Sequence, residues 1–419
     1  MDQANANADI NDFDVQSYPA ERRSLRIAVV TETYPPEVNG VATTLARVVE
    51  GLHGRGHDLQ LIRPRQGGAQ AGQLTSRFDE VLMRGLPIPR YPHLRMGLPS
   101  KRALVKLWST HRPDVVHVAT EGPLGWSALQ SARHLHLPVT SDFRTNFHAY
   151  SKHYGIAWLN KPIMAYLRKF HNLAACTMVP TGQLRNELQV AGFKRLTVVS
   201  RGVDAQRFTP ERRSGALRES WGLRGDELVV CCVGRLAPEK NLDLLINAFE
   251  AIRAQDERAR LLLVGTGPLR AELEARCPGA IFAGQRGGLD LAAHYASADL
   301  FLFPSMTETF GNVTTEALAS GLPVLAFRHA GAAEVIVDGL NGRLVAYDDA
   351  AAFTRTALEL ARDVAQRRRL AAAARERAFG QDWDRICAAF EAELLKACGW
   401  THGAGEAIGA EVLSRGFAA

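Results

Sequence analysis

Short apolar runs alternate with helix-length amphipathic segments along this chain, and the series starts twice. In the first half Ile27-Ala-Val-Val30 precedes a helix pattern from Gly40 to Leu52, closed by Gly54 and Gly56, and Leu59-Gln-Leu-Ile62 follows. Val115-Val-His-Val118, Val139 with Thr140, and Thr177-Met-Val179 extend the series. A linker signal spans Arg201-Gly-Val-Asp204 and Phe208-Thr-Pro210, after which Leu228-Val-Val-Cys-Cys-Val233 begins the second set. Leu261-Leu-Leu-Val264, Leu300-Phe-Leu-Phe303 and Val324-Leu-Ala-Phe327 complete it. Unbroken apolar strands joined through helices call for parallel sheets covered on both faces. The expectation is α/β: two doubly wound, Rossmann-like domains with a ligand cleft between them. Within the second set, Leu242, Leu245, Phe249 and Ile252 predict one buried helix face, and Trp383, Ile386, Phe390 and Leu394 predict another near the end.

At 419 residues the chain exceeds one ordinary core, which also favours two domains. No uninterrupted apolar window reaches membrane-spanning length. Residues 1–24, with Asp2, Asp9, Asp12 and Asp14, lack signal-peptide regions and read as a disordered leader; 399–419 read as a tail. Cys176, Cys231, Cys232, Cys277, Cys387 and Cys398 show no CxxC spacing, consistent with reduced thiols and a cytoplasmic location. Net charge is +6, yet Pro99 to Ala175 alone holds ten Lys/Arg against three acids. Such a face suits nucleic acid, an anionic membrane or a phosphorylated substrate, and equally a plain solvated surface. From Trp158 to Ala174, Ile163, Leu167, Phe170 and Ala174 form an apolar stripe flanked by Lys161, Arg168 and Lys169, readable as an interfacial helix or as core.

Chemistry concentrates in the second half. Glu308-Thr-Phe-Gly-Asn-Val-Thr-Thr-Glu316 follows a buried strand; Gly311-Asn312 supplies a joint and an N-cap, and a helix from Val313 stops at Gly321-Leu-Pro323. Free N–H groups at that helix start attract phosphate or sugar oxygens, with both carboxylates near one ligand. Gly234-Arg-Leu-Ala-Pro-Glu-Lys240 leaves the carboxyl end of another strand, where Arg235 and Lys240 are spaced to clamp a diphosphate. Each element alone is also readable as a solvated charged loop. Their presence in one domain favours the ligand reading.

Together with Gly265-Thr-Gly-Pro268 and Gly331-Ala-Ala-Glu334, these elements resemble the retaining GT-B glycosyltransferases of family 4, over about Ile27 to Leu395. Thr33-Tyr-Pro-Pro-Glu-Val-Asn-Gly40 and Ser141-Asp-Phe-Arg-Thr-Asn-Phe147 look closest to the subgroup of GDP-mannose-dependent α-mannosyltransferases and sulfolipid synthases. The resemblance implies an acceptor domain at 25–200, a linker at 201–210, a nucleotide-sugar domain at 211–380, and a helix at 381–398 packing back toward the first domain. It implies transfer of a hexose, foremost mannose from GDP-mannose and alternatively from a UDP-sugar, to a lipid or saccharide acceptor. Neither metal nor cofactor is implied, nor a nucleic-acid partner; the protein would act in the cytoplasm, at the inner membrane face if the basic surface binds anionic lipid. Arg235 and Lys240 would neutralise the departing diphosphate, Glu316 would hold ribose, and Glu308 the donor sugar beside Thr309, Phe310, Gly311 and Asn312. Gly40 would admit the phosphates, and Gly284 and Arg286 would flank the base.

Family members often carry His-x-His where this chain has His117-Val-Ala119, so the second histidine is missing. His117 then reads as a packed strand residue, with Thr120 facing the cleft. Arg144 replaces a common histidine and, with Asn146 and His148, is a candidate acceptor contact. Asp12-Phe-Asp14 and Asp382-Trp-Asp384 fit a metal-binding string but not its strand-end context. Neither Gly-x-Gly-x-x-Gly after the first strand nor a P-loop occurs. A nucleotide-sugar 2-epimerase and a nonenzymatic nucleotide-sugar-binding protein are the rival readings.

Overall fold

The computed structural model describes residues 24–37, 39–65, 77–88, 91–144 and 160–400. The first half contains β1 (Arg26–Val30), α1 (Gly40–Gly54), β2 (Asp58–Pro64), β3 (Asp79–Met83) and an antiparallel hairpin of β4 (Gly85–Ile88) and β5 (Tyr91–Gly97). It continues through α2 (Lys101–Thr110), β6 (Val115–Val118), α3 (Pro123–His134), β7 (Val139–Asp142), α4 (Asn160–His171), β8 (Cys176–Val179), α5 (Gly182–Val190) and β9 (Leu196–Val198). Seven strands make one parallel sheet in the order β3-β2-β1-β6-β7-β8-β9. The chain winds outward from β1 in one direction and returns to β6 on the other side. That reversal opens a crevice beyond the carboxyl ends of β1 and β6.

The second half repeats the plan with α6 (Gly215–Ser220), β10 (Val229–Val233), α7 (Leu242–Arg253), β11 (Arg260–Val264), α8 (Arg270–Arg276), β12 (Ile281–Gly284) and α9 (Gly288–Ala296). Then come β13 (Leu300–Phe303), α10 (Asn312–Ala319), β14 (Val324–Phe327), α11 (Ala330–Val335), β15 (Arg343–Val345), α12 (Ala350–Arg362), α13 (Val364–Phe379) and α14 (Trp383–Ala397). Its parallel sheet runs β12-β11-β10-β13-β14-β15, with the switch between β10 and β13. Gly234-Arg235 and Pro304-Ser305 leave the strands at that switch.

The expected α7 stripe is buried, with Leu242, Leu245, Phe249 and Ile252 packed beside Phe353 and Leu360 of α12. Removing one such Phe side chain from water stabilises the fold by about 2 to 3 kcal/mol. In α14, Phe390 and Leu394 join Leu45, Val48 and Val49 of α1, with Trp383 and Ile386 at the edge. Glu391 anchors the contact through Arg55 and through His57 Nε2 at 2.9 Å, while His57 Nδ1 accepts the Leu25 N–H at 3.0 Å. The chain therefore crosses between halves twice. The crossings lie side by side, since Val203 N–H donates to Gln381 C=O at 2.9 Å and Val203 bridges Asp382 in parallel.

The α4 stripe is core rather than an interfacial surface. Leu167, Phe170 and Ala174 are buried and Ile163 packs with Phe143 and Leu184, leaving Lys161, Arg168 and Lys169 exposed. Trp158 lies outside the described residues, as do the leader through residue 23, with Asp12 and Asp14, and the tail from residue 401. Asp382 is the N-cap of α14, its carboxylate accepting the Asp384 N–H at 3.2 Å, so a capping role accounts for that pair. Among the described residues no helix is long and apolar enough to cross a membrane.

Candidate functional site

The loops after β10 and β13 meet. A short 3₁₀ turn, Pro238–Lys240, brings the lysine round so that its Nζ pairs with Glu308 Oε1, and the same oxygen accepts Ser305 Oγ–H at 2.7 Å. Lys240 Nζ also sits 5.7 Å from the Phe303 ring centroid, a cation–π distance. Burial pushes the Glu308 carboxyl up, but the Lys240 charge and the two hydrogen bonds outweigh it and hold Glu308 below the usual carboxylate range. Arg235 pairs with Glu239, which is itself only 1% exposed. Two cation–carboxylate pairs, Arg235 with Glu239 and Lys240 with Glu308, thus stand at the switch point of the second sheet.

Glu316 lies one turn into α10 and faces the other way. Tyr295 of α9 donates its hydroxyl to Glu316 Oε2 at 3.0 Å, and burial raises the carboxyl to about 7 against the opposing influences of Tyr295 and Arg207. One carboxylate is charge-paired and held ionised, and the other is buried with no cation paired to it among the described residues and only partly ionised near neutral pH. The helix start differs from expectation. Gly311, with φ of +88°, is the N-cap without any side-chain hydrogen bond, and Asn312 is the first helical residue. Only glycine takes that left-handed geometry without strain. Asn312 Nδ2 instead donates across the cleft to Thr44 Oγ1 at 3.2 Å.

The remaining expected residues scatter more widely. A Cβ on Gly40 would lie 4.0 Å from Asn312 Nδ2, so the start of α1 faces the start of α10. Thr309 Oγ1 donates to the Arg144 carbonyl at 3.1 Å, and the Phe310 carbonyl accepts Gly331 N–H at 3.0 Å, with the Phe310 ring buried. Gly284 ends β12 at φ +72°. Arg286 is exposed and held by the Ala283 carbonyl at 2.8 Å and Asp290 at 3.1 Å.

In the first half, Thr120 Oγ1 accepts the Glu32 N–H at 2.9 Å, tying the ends of β6 and β1 together. Glu32 in turn accepts the Leu124 N–H at the start of α3 at 3.0 Å, and burial raises it to about 7. Arg144 does not line the cleft. It is 4% exposed and ion-paired with Asp142, which also sits 3.6 Å from Arg201. Burial lowers the Arg144 guanidinium to about 10; burial pushes Asp142 up, but the Arg144 and Arg201 charges prevail and lower it. Asn146 and His148 lie outside the described residues. His117 is a packed residue, fully buried, with Nδ1 3.0 Å from Thr140 Oγ1 and its ring edge-on to Phe390, and burial depresses it to about 4.

Sequence reasoning missed Glu239, Ser305 and Tyr295. Glu239 and Ser305 stand inside the motifs and could have been found as the polar neighbours of Lys240 and Glu308. Tyr295 comes from a separate helix, and no local signal marks it. Among the described residues no cluster of three His, Cys, Asp or Glu side chains is placed to hold a metal ion.

This architecture agrees with known proteins. Residues 38–207 match the model of Glycosyltransferase Family 4, and 227–363 that of Glycosyl transferases group 1. A GDP-mannose-dependent alpha-mannosyltransferase of Mycobacterium tuberculosis is 36% identical over 87% of this chain and 94% of the relative. One of the same description from Corynebacterium glutamicum is 34% identical over 87% of each, and a sulfoquinovosyl transferase of Arabidopsis thaliana is 29% identical over 90% of this chain and 74% of the relative. Among solved structures, Anabaena Alr3699/HepE in complex with UDP superposes with a TM-score of 0.71 at 18% identity, covering 88% of this chain and 100% of the other. WaaG, a glycosyltransferase involved in lipopolysaccharide biosynthesis, superposes at 0.65 with 18% identity, covering 88% and 99%. Those likenesses establish the shared two-domain fold. The chain is a GT-B glycosyltransferase of family 4.

Proposed function

We propose that this glycosyltransferase moves mannose from GDP-mannose to a lipid-linked or saccharide acceptor, with retention and without a metal. The observation that carries the reading is the Lys240–Glu308 pair at the sheet switch, with Arg235 in the same loop as Lys240, in a chain that is 36% identical to a GDP-mannose-dependent relative. In this mechanism the bond from the anomeric carbon to the diphosphate oxygen breaks as the acceptor oxygen bonds to the same face. The acceptor proton passes to the departing phosphate. Arg235 and Lys240 offset the charge that grows on the leaving group, which lowers the barrier because they are already oriented. Glu308 accepts from sugar hydroxyls and fixes the anomeric carbon, and Glu316 accepts from the ribose diol. Gly284 and Arg286 flank the base; Gly40 and the start of α10 approach the phosphates from opposite sides.

Acceptor binding belongs to the first half around Thr120, beside the segment that carries Arg144, Asn146 and His148; the Arg144 side chain supports that segment from the interior. Exposed Lys101, Arg102, Lys106, Lys161, Arg168 and Lys169 support contact with an anionic membrane at its inner face. A panel of GDP-mannose, UDP-glucose and UDP-galactose with lipid extract, read by mass spectrometry, tests the reading. A mannosylated product formed with chelator present is expected; hexosyl transfer from a UDP-sugar alone would replace the donor assignment, and isomerised or hydrolysed sugar with no product would favour an epimerase. Co-sedimentation with vesicles should require anionic lipid, and binding indifferent to lipid charge removes the membrane component.

A further inference from the structure

Away from these charge pairs, a second set of contacts joins the halves, at the amino end of α5 and the amino end of α11. Thr181 caps α5, its Oγ1 accepting the Leu184 N–H at 3.1 Å, and the adjacent Gly182 N–H donates to Glu334 Oε1 at 2.7 Å. The Gln183 amide is used on every side. Its Nε2 donates to Glu187 Oε1 at 2.8 Å and lies 3.1 Å from His329 Nδ1, and its Oε1 accepts the Ala330 N–H at 3.1 Å. Because Glu187 and the imidazole take the two amide hydrogens, His329 Nδ1 is the acceptor, and the neutral ring carries its proton on Nε2. Burial lowers the His329 pKa, with Glu187 and Glu308 pulling the other way and the Tyr347 ring packed at 5.0 Å.

What His329 and Ala330 touch makes this seam relevant to transfer. His329 lines one small cavity together with Ser305, Glu308 and Phe310. Ala330 holds φ at +49°, a geometry that costs a non-glycine residue about 1 kcal/mol or more and persists where contacts fix it. Next to it, Gly331 donates to the Phe310 carbonyl, and any Cβ there would come within 2.3 Å of that oxygen. The backbone that Gln183 grips therefore lies directly beneath the Glu308–Gly311 loop.

We propose that Gln183 is a positioning residue for glycosyl transfer: by joining the first half to His329 and Ala330 of the second, it aligns the donor-sugar loop when the halves come together. The proposal rests on the reading of Glu308–Gly311 as that loop. Gln183→Leu keeps size and loses every hydrogen bond. It should lower kcat for nucleotide release from GDP-mannose about tenfold while the calorimetric Kd for GDP stays within about twofold, because the proposed base, ribose and cation contacts all lie on the second half and Gly40 offers no side chain. Gln183→Glu can still accept from Ala330 and, once His329 is protonated, from its Nδ1–H; because burial lowers the His329 pKa, its activity relative to wild type should rise only as pH falls below the ordinary histidine range, from about 6.5 to about 5. Wild-type kcat in Gln183→Leu, equal losses of kcat and GDP affinity, or a flat pH ratio for Gln183→Glu would each overturn it. If Gln183→Leu does not fold, Glu334→Ala, which opens the other end of the seam, should show the same split, and its absence counts equally against the idea. Glu308→Gln separates the two readings: full turnover there sinks the loop assignment, whereas a dead Glu308→Gln beside an unaffected Gln183→Leu sinks only the seam.

Discussion

The two halves handle their charged groups in opposite ways. In the second, Arg235 and Lys240 follow one strand end and Glu308 another at a sheet switch, and each cation has its own carboxylate, Glu239 for Arg235 and Glu308 for Lys240. In the first, Asp142, Arg144, Arg201, His117, Glu121 and His171 are closed into the interior, each at most 6% exposed. His171 bridges Ser141 Oγ at 2.9 Å and Glu121 at 3.3 Å, so this network links β7, α4 and the loop after β6. The contrast teaches that charge at a strand end has two uses. One is to meet substrate, and the other is to hold the loop that meets it.

The largest expected effect comes from the second half. Replacing Glu308 with Gln leaves its size and removes the charge that faces Lys240, and should lower kcat/KM by about 10²- to 10³-fold in a nucleotide-release assay with little change in melting temperature. A stability loss without that rate loss would make Glu308 a structural residue and erase the contrast. In the sealed half the reverse is expected. Asp142→Asn leaves Arg144 and Arg201 without their counter-charge and should cost about 3 to 5 kcal/mol in denaturant unfolding, and adding Arg144→Leu should recover part of it. An unchanged midpoint would mean that water already reaches the group.

A smaller effect separates Glu308 from Glu316. Glu316, raised to about 7 by burial, is largely protonated below that pH and ionised above it. Its folded pKa exceeds the unfolded value, so this group's contribution to stability is full below about 4.5 and declines as pH rises to about 7. Donor binding should run the other way, since an ionised carboxylate accepts from both ribose hydroxyls: KM for the donor should fall several-fold between about pH 6 and 8. Glu316→Gln should flatten both dependences, and a Glu316→Gln profile identical to wild type would refute the ribose assignment. The mildest change is Asn312→Ala, which removes one hydrogen bond to Thr44 and should raise donor KM about two- to fivefold.

How much of this was legible depended on the distance between partners in sequence. Buried strands and the α7 stripe follow from local periodicity, and the motifs around Arg235 and Glu308 follow from strand-end placement. The β4–β5 hairpin and β3 carry no such continuous apolar run and were not anticipated. The burial of the Arg144 side chain was not legible because a charged residue in a loop is ordinarily solvated, and its partners are Asp142 and, through Asp142, Arg201, 57 positions further on in the sequence. Asn312 was read as a cap because asparagine usually caps; the positive φ falls on Gly311 and frees the side chain for Thr44, 268 residues away. Gln183 left no trace at all, since an exposed-type residue in a helix gives no hint of a partner 147 positions downstream.

The paired crossings at Val203 and Gln381 carry a mechanical consequence. A body joined to another by one strand can swivel about it; joined by two strands that bond side by side, it can bend like a door on two pins but hardly twist. Such a joint favours bending over twisting, so a closing motion about it would return the start of α10 to the start of α1. A chain nicked within 205–209 would keep its halves together through the second pin, yet it would lose that register and admit substrates it could no longer align.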